Sequence, residues 1–243
     1  MMISKQLVFI GACTALLGLA ACSPHSQTPT ASEDASVTVS DAPAPAPSQT
    51  TAAQPVVAPG TLLSCAGPID PKATAKSLLA AYGKDAQLGT IPGAEGMESK
   101  ALLLYDAIPA KKLAVTFWDD SMQHISGVSP MGTAWTGPSG IHVGSTLAYI
   151  QQVNGKPFSI SGFGWDYGGY AVDFKGGALD KLPGGCTISL RFDGPDNIVM
   201  PDGINGDGVT LSSDDPRLKK WSPAVSELSL GWPLPDGVKP SDN

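Results

Sequence analysis

The sequence predicts an α+β fold in which two helix-plus-antiparallel-sheet units follow each other along the chain, after a disordered tether. Two observations predict the class: short amphipathic segments with helix-capping residues, and segments in which apolar and polar residues alternate as in half-buried strands. A third suggests the repeat, because the glycine that ends the second predicted helix, Gly155, follows its counterpart Gly83 by 72 residues. We therefore assign residues 61–135 to a first unit and residues 136–243 to a second.

The first unit is predicted from residues that are typical of the start and end of a helix, followed by segments in which apolar and polar residues alternate. Asp70 is a candidate N-cap with Pro71 at the first helical position, and Gly83 ends the helix. An apolar run at residues 102–105 and an alternating segment at residues 113–118 are typical of strands. One helix and its strands would thus form a small two-layer unit.

The second unit repeats this order of elements. Ser145 is the candidate N-cap of its helix, and Gly155 is the candidate C-terminal glycine. Alternation then predicts strands near residues 158–160, 170–174 and 188–192, and a closing strand at residues 225–232. The common order of helix, glycine and strands favours an internal duplication.

The composition is that of a globular, acidic protein with many turns. Of 243 residues, 42% are hydrophobic and 15% are charged, which excludes a highly charged disordered chain and a coiled coil. The formal net charge is -7, and only 15 residues are Lys or Arg. Because nucleic acid is bound by clustered cations, we expect no nucleic-acid partner.

The first 21 residues have the organisation of a bacterial secretion signal. Lys5 precedes an apolar run at residues 7–17, and Leu19-Ala20-Ala21-Cys22 follows. This tetrapeptide resembles the lipobox of bacterial lipoproteins, which implies diacylation and cleavage before Cys22; an ordinary signal peptide is the alternative. Ser23 after the cysteine implies, again by resemblance, transport to the outer membrane. The lipid on Cys22 would then attach the protein to this membrane, which is one expected partner. The domain would lie in the periplasm or at the cell surface.

Residues 22–60 predict a lipidated cysteine followed by a disordered tether. The segment is rich in Pro, Ala, Ser and Thr and has no aromatic residue, so it cannot bury enough apolar surface to offset its ordering entropy. A chain of this length has a reach on the order of 35 Å. We expect the tether to hold the folded domain away from the membrane surface.

The cysteines predict one disulfide in the folded part. Cys13 would be removed with the signal and Cys22 would carry lipid, which leaves Cys65 and Cys186 as a pair in an oxidising compartment. The alternative is a reactive thiol, but there is no Cys-x-x-Cys motif and neither cysteine has a neighbouring His or Lys. We expect a Cys65–Cys186 disulfide.

Two strings in the second half resemble known bacterial proteins. The stretch Gly140–Pro157 is similar to the start of the helix in the β-lactamase inhibitory protein and in the outer-membrane assembly lipoproteins (SmpA/OmlA). The string Gly162–Gly169, read with residues 154–161, resembles uncharacterised bacterial lipoproteins. The likeness extends over about residues 62–232, and it implies binding of a protein partner through a concave sheet face without catalysis.

The Gly-rich string also contains the candidate binding residues. Phe163, Trp165, Asp166 and Tyr167 lie between two predicted strands, where glycines allow positive φ angles and close approach of the backbone. They could form an aromatic binding patch. The alternative is that Phe163 and Trp165 belong to the core and Asp166 caps the turn.

We find no catalytic, metal or cofactor signature in the sequence. His124 and His142 stand in no metal-binding spacing, and Ser139 lacks the surroundings of a nucleophile elbow. The segment Asp202–Gly208 resembles a calcium loop but has glycine where the first ligand is required. The sequence therefore predicts no metal or cofactor.

The favoured interpretation is a lipid-anchored, non-catalytic module of the cell envelope that binds an envelope protein. The first alternative is an envelope hydrolase that acts on peptidoglycan or another glycan, with an Asp or Glu as the acid. The second is a purely structural lipoprotein.

Overall fold

The structure, a computed structural model, describes residues 61–241. This range contains three α-helices, four short 3₁₀ helices and nine strands that form antiparallel sheets, which confirms the predicted α+β class. The helices are α1 (Ala75–Tyr82), α2 (Leu147–Asn154) and α3 (Pro216–Trp221). The strands are β1 (Ala86–Pro92), β2 (Glu98–Leu104), β3 (Leu113–Phe117), β4 (Ile125–Pro130), β5 (Ser159–Ser161), β6 (Ala171–Asp173), β7 (Thr187–Asp193), β8 (Thr210–Ser212) and β9 (Ala224–Gly231). The predicted signal segment, Cys22 and the tether lie outside the described residues.

Six of the strands form one antiparallel sheet in the order β1-β2-β3-β4-β9-β7. Strands β1 to β4 make a meander, and β9 then pairs with β4 on one side and with β7 on the other. The predicted closing strand is present as β9, and it lies inside the sheet rather than at its edge. Strands β6, β5 and β8 form a second, smaller sheet.

The prediction of two tandem units is not confirmed by this topology. The first half supplies β1 to β4, and the second half adds β7 and β9 to the same sheet while β5, β6 and β8 form the small sheet. Hydrophobic periodicity located the strands but does not determine which strands pair. A single shared sheet lets both halves bury their apolar faces in one core, which is favourable because two smaller separate units would each bury a smaller fraction of their surface.

The inward face of the large sheet packs in one hydrophobic core with residues from all three helices. The helices contribute Leu78 from α1, Ile150 from α2, and Leu218 and Trp221 from α3. On this face, the fully buried residues of the large sheet alternate along their strands, and they are Leu102, Leu104, Leu113, Val115, Val128, Leu190, Phe192 and Leu230. This alternation leaves every second side chain on the opposite, outward face of the sheet.

Both predicted helices begin later than the sequence suggested. Thr74, not Asp70, is the N-cap of α1: its hydroxyl accepts from the amide of Ser77 at 3.1 Å, and the Ser77 hydroxyl accepts from the Thr74 amide at 2.9 Å. Asp70 instead lies in the turn that precedes the helix. Thr146 rather than Ser145 caps α2. In both helices the cap is the threonine that directly precedes the first helical residue, because its hydroxyl reaches the free amides of the first turn.

The predicted disulfide between Cys65 and Cys186 is present. It joins the segment before α1 to the residue that precedes β7, with Cα atoms 5.4 Å apart and a sequence separation of 121. Both cysteines are buried. Across residues 61–241, none of the helices has the length and apolar character needed to cross a membrane.

Candidate functional site

A cradle lies on the outward face of the large sheet, and small side chains form its floor. Ala114, Ser129, Ser229 and Ser189 stand on the neighbouring strands β3, β4, β9 and β7 and line a cavity of about 510 Å³. Ala114 pairs with Ser129 and Ser229 pairs with Ser189, and the register between β4 and β9 continues this row across the sheet. Among the described residues, no protein group hydrogen-bonds to the three serine hydroxyls. The floor therefore offers free donors and acceptors.

The β1–β2 hairpin forms the first wall because it curls over the outward face. Ile91, near the tip, packs against Ala101, Leu103 and Ala114 in a small cluster that is separate from the main core. Gly89 makes the curl feasible, since a Cβ there would lie 2.8 Å from Cδ1 of Leu103. This packing explains why β2 is buried on both of its faces.

Tyr170 and Glu227 form the opposite wall, and a polar network joins them to Arg191. The Tyr170 hydroxyl donates to Oε2 of Glu227 at 3.1 Å, and Nη1 of Arg191 donates to Oε1 at 2.8 Å. The guanidinium also lies 5.3 Å from the centre of the Tyr170 ring. Burial and the neighbouring Glu227 carboxylate both raise the pKa of Tyr170, so its hydroxyl stays protonated at neutral pH.

Arg191 also attaches the aromatic loop, which we define as residues 162–169, to the sheet. Its Nε donates to the carbonyl of Gly168 at 3.0 Å, and its Nη2 donates to that of Trp165 at 3.4 Å. Burial lowers the pKa of Arg191, but the hydrogen bond and charge of Glu227 outweigh this effect, so that the pKa lies above its ordinary value. The loop is thus held by a permanently charged side chain.

The aromatic loop contains the four predicted binding residues, and the structure separates their roles. Phe163 belongs to the main core, where its ring meets Trp221 edge-on at 4.9 Å. Trp165 is half-buried, and its indole donates to the carbonyl of Gly162 at 2.9 Å. Asp166 and Tyr167 are exposed, and the Tyr167 ring lies 5.4 Å from that of Trp165. Phe163 is a packing residue, whereas Asp166 and Tyr167 are available for contacts.

Asp166 joins the two walls instead of capping its own turn. Its Oδ2 accepts a hydrogen bond of 2.9 Å from the backbone amide of Glu95, at the tip of the β1–β2 hairpin. Behind this contact lies a second cavity of about 480 Å³, which we call the chamber. Pro92, Tyr170 and Glu227 line both cavities, so the chamber lies next to the cradle. Each has the size of a ligand pocket.

Most cradle residues were missed by the sequence analysis. Ser189 and Arg191 alternate with the apolar residues of β7, and Glu227 and Ser229 lie in β9, where only the buried positions were considered. The alternation therefore already placed these polar residues on the outward face. What the sequence did not show is that β7 and β9 are adjacent, which brings their outward side chains together.

Asp119 and His124 form another polar cluster, in the turn after β3. The carboxylate of Asp119 accepts from the Ser121 hydroxyl and from the backbone amides of Gln123 and His124, and it lies 2.9 Å from Nδ1 of the His124 ring. Burial raises the pKa of Asp119, but these hydrogen bonds outweigh it and lower the pKa to about 2. The contacts are all within one turn, which indicates a structural role.

We expect Asp119→Ala to destabilise the fold by about 2 kcal/mol, because it removes several charge-assisted hydrogen bonds. The matched change Asp120→Ala, at a carboxylate that is 66% exposed and only pairs with Lys100, should have little effect. Since the pKa of Asp119 is about 2 in the folded protein, against an ordinary value of 3.8, its contribution is present above about pH 4 and is lost as the pH falls toward 2. Melting temperatures at pH 7 and about pH 2.5 measure this difference; an equal effect of Asp119→Ala at both pH values would contradict it.

The other candidate catalytic or metal sites show only structural contacts. Nδ1 of His142 lies 3.0 Å from the carbonyl of Gly140 and 3.2 Å from the hydroxyl of Ser145. The carbonyl of Ser139 accepts from the Tyr149 hydroxyl, and that of Gly203, in the calcium-like segment, accepts from Arg217. Within residues 61–241, no group of three or more His, Cys, Asp or Glu side chains is placed to hold a metal ion.

Comparison with known proteins gives little further information. No protein-family model matches the chain, and no curated protein matches it significantly. Among solved structures, the chain is similar to the uncharacterized protein yfeY from Escherichia coli, with 14% sequence identity and a TM-score of 0.37, over 70% of this chain and 99% of that one. A similarity of this degree establishes neither a shared fold nor a function.

Proposed function

We propose that the chain is a lipid-anchored protein of the bacterial outer membrane that binds a segment of an envelope protein in its cradle, without catalysis. The resemblance of residues 19–22 to a lipobox supports the anchor. The resemblance to the inhibitory protein and the assembly lipoproteins supports binding through a concave sheet face. The observation that carries the proposal is the cradle itself, with a floor of small residues whose hydroxyls have no partner within residues 61–241.

The chemistry of the floor suits a polypeptide. Serine side chains project little above the sheet, so a bound chain could approach the floor closely at Ser129, Ser229 and Ser189. The hydroxyls of Ser129, Ser189 and Ser229 can donate to carbonyl groups and accept from amide groups of that chain. Hydrogen bonds of this kind replace the hydrogen bonds with water that both surfaces lose when they meet.

Exposed apolar side chains of the kind found in protein interfaces lie at the cradle, at the chamber and near the hairpin tip. Met131 at the rim is 43% exposed, Tyr167 beside the chamber is 49% exposed, and Met97 near the hairpin tip is 59% exposed. Met and Tyr are enriched in interfaces, where they supply much of the contact area. Burial of these residues by a partner would add to the hydrogen bonds of the floor.

Filling the cradle should abolish partner binding and leave the fold intact. Ser229→Trp places a large side chain on the outward face, and Ser189→Trp is a second variant at an exposed position of the edge strand β7. Thr210→Trp, at an exposed position of the small sheet, is the matched control. The measurement is crosslinking in living cells with the full chain, followed by mass spectrometry and by melting curves for each variant.

We expect one dominant envelope protein to be recovered with the wild-type chain and with Thr210→Trp, and to be lost with both cradle variants at unchanged melting temperature. Recovery of the same protein with the cradle variants would overturn the proposal. So would recovery of only bulk membrane proteins with the wild-type chain.

A further inference from the structure

The chamber at the end of the cradle is both acidic and aromatic. Its lining residues with charged or aromatic side chains are Glu95, Asp166, Tyr167, Tyr170, Arg191 and Glu227. Arg191 is paired with Glu227. The structure, over the residues it describes, shows no cationic partner for Glu95 or for Asp166, whose carboxylate accepts only a backbone amide. Three carboxylates and one guanidinium therefore leave the chamber with two uncompensated negative charges.

The two tyrosines add a second feature that favours cations. The rings of Tyr167 and Tyr170 line the chamber together with the carboxylates. Tyr170 already has a guanidinium 5.3 Å from its ring centre, which shows that a cation is accommodated against this wall. A cation close to a tyrosine face is stabilised by the ring quadrupole, most strongly where water is partly excluded.

The dimensions of the floor point to an extended chain. Ala114 is buried under Ile91, so the accessible row runs from Ser129 to Ser189 and crosses two gaps between neighbouring strands, which at the usual strand spacing is about 10 Å. An extended polypeptide advances roughly 3.4 Å per residue, so that about three residues span the row. The residue at the end of such a segment would lie next to the chamber, since the chamber and the cradle share Tyr170 and Glu227.

Building on the proposed function, we infer that the cradle binds an extended segment of the partner polypeptide and that a Lys or Arg side chain of this segment enters the chamber. Charge complementarity selects the cation, because an acidic side chain would face three carboxylates. A purely apolar side chain would leave the carboxylates of Glu95 and Asp166 uncompensated in the interface. The net charge of the whole chain, -7, also favours the approach of a basic partner.

Four short peptides that differ in one side chain test this inference. Acetylated and amidated peptides of the form Ser-Ala-X-Ala-Ser, with X as Lys, Arg, norleucine or Glu, are titrated into the purified full chain by calorimetry. The Lys and Arg peptides should bind at least about tenfold more tightly than the Glu peptide, and their affinity should fall with added salt because the contacts are partly exposed.

Charge-removing variants locate the binding. Asp166→Asn removes one charge and keeps an oxygen that can accept from the Glu95 amide, and Glu95→Gln removes the second. The double variant should bind the Lys peptide roughly threefold to tenfold more weakly, since each exposed charge contact is modest. The control Asp180→Asn with Asp196→Asn changes the net charge equally at exposed positions outside the chamber and should bind as the wild type does.

Several outcomes would overturn the inference: equal binding of the Glu and Lys peptides, no binding of the Lys and Arg peptides at millimolar concentration, or the same loss in the control variant. Its failure is distinguishable from failure of the proposed function. If the chamber double variant keeps the partner crosslinked in cells while Ser229→Trp loses it, the proposal that the cradle binds a protein is supported. The inference that a Lys or Arg side chain enters the chamber is then wrong. If both keep the partner, both proposals are wrong.

Discussion

Loss of the Cys65–Cys186 disulfide is expected to lower the free energy of unfolding by about 5 kcal/mol. The bond connects residues with a sequence separation of 121, so it restricts a large loop of the unfolded chain, and the chain-entropy model assigns more stabilisation to longer loops. It also anchors the start of β7, the edge strand that carries Ser189 and Arg191. Since domains are stable by only about 5–15 kcal/mol, this loss is a large part of the total.

Urea unfolding of the full chain with and without a reductant measures this contribution. The variant Cys65→Ala with Cys186→Ala should unfold at the midpoint of the reduced wild type and should not respond to the reductant. A difference below about 1 kcal/mol between oxidised and reduced wild type would contradict the expectation and would indicate that the unfolded chain keeps structure around the crosslink.

Phe163→Ala is expected to have the second largest effect, a loss of about 3–5 kcal/mol, whereas Tyr167→Ala should cost less than about 1 kcal/mol. Phe163 is only 3% exposed and packs against Trp221, so its removal leaves a cavity in the main core. Tyr167 is 49% exposed, and its side chain contacts the ring of Trp165. The same loop thus supplies one aromatic residue to the core and another to the surface.

Chemical unfolding of both variants, with partner crosslinking of the same proteins, distinguishes packing from binding. Tyr167→Ala should keep its unfolding midpoint and lose part of the partner yield, because its exposed ring lies beside the chamber. Phe163→Ala should instead lower the unfolding midpoint. Equal destabilisation by the two changes would mean that Tyr167 is a structural residue and that the aromatic loop contributes no contact surface.

The sequence predicted the parts of the fold that depend on local chemistry. Alternation located β3, β7 and β9, and the glycines at positions 83 and 155 end α1 and α2 as expected. It missed β1 and β4, whose segments contain Gly and Pro and lack strict alternation, and it missed the short elements β8 and α3. In these elements tertiary packing, rather than local propensity, decides the conformation.

The site was predictable only in part, because it depends on contacts between distant residues. The sequence singled out Asp166 and Tyr167, which do line the chamber. It gave no sign that Asp166 meets the amide of Glu95, 71 residues away, or that β7 and β9 bring Arg191 to Glu227. Strand order was the missing information, and no local pattern encodes it.

The central claim, that the cradle floor touches a partner, is tested most directly by a photocrosslinking amino acid installed in the full chain in living cells. Placed at Ser189, it should form an adduct with one envelope protein, and the adduct should disappear when Ser229→Trp is added. The same amino acid at Thr210 should give no such adduct. Absence of an adduct at Ser189, or an identical adduct at Thr210, would contradict the account.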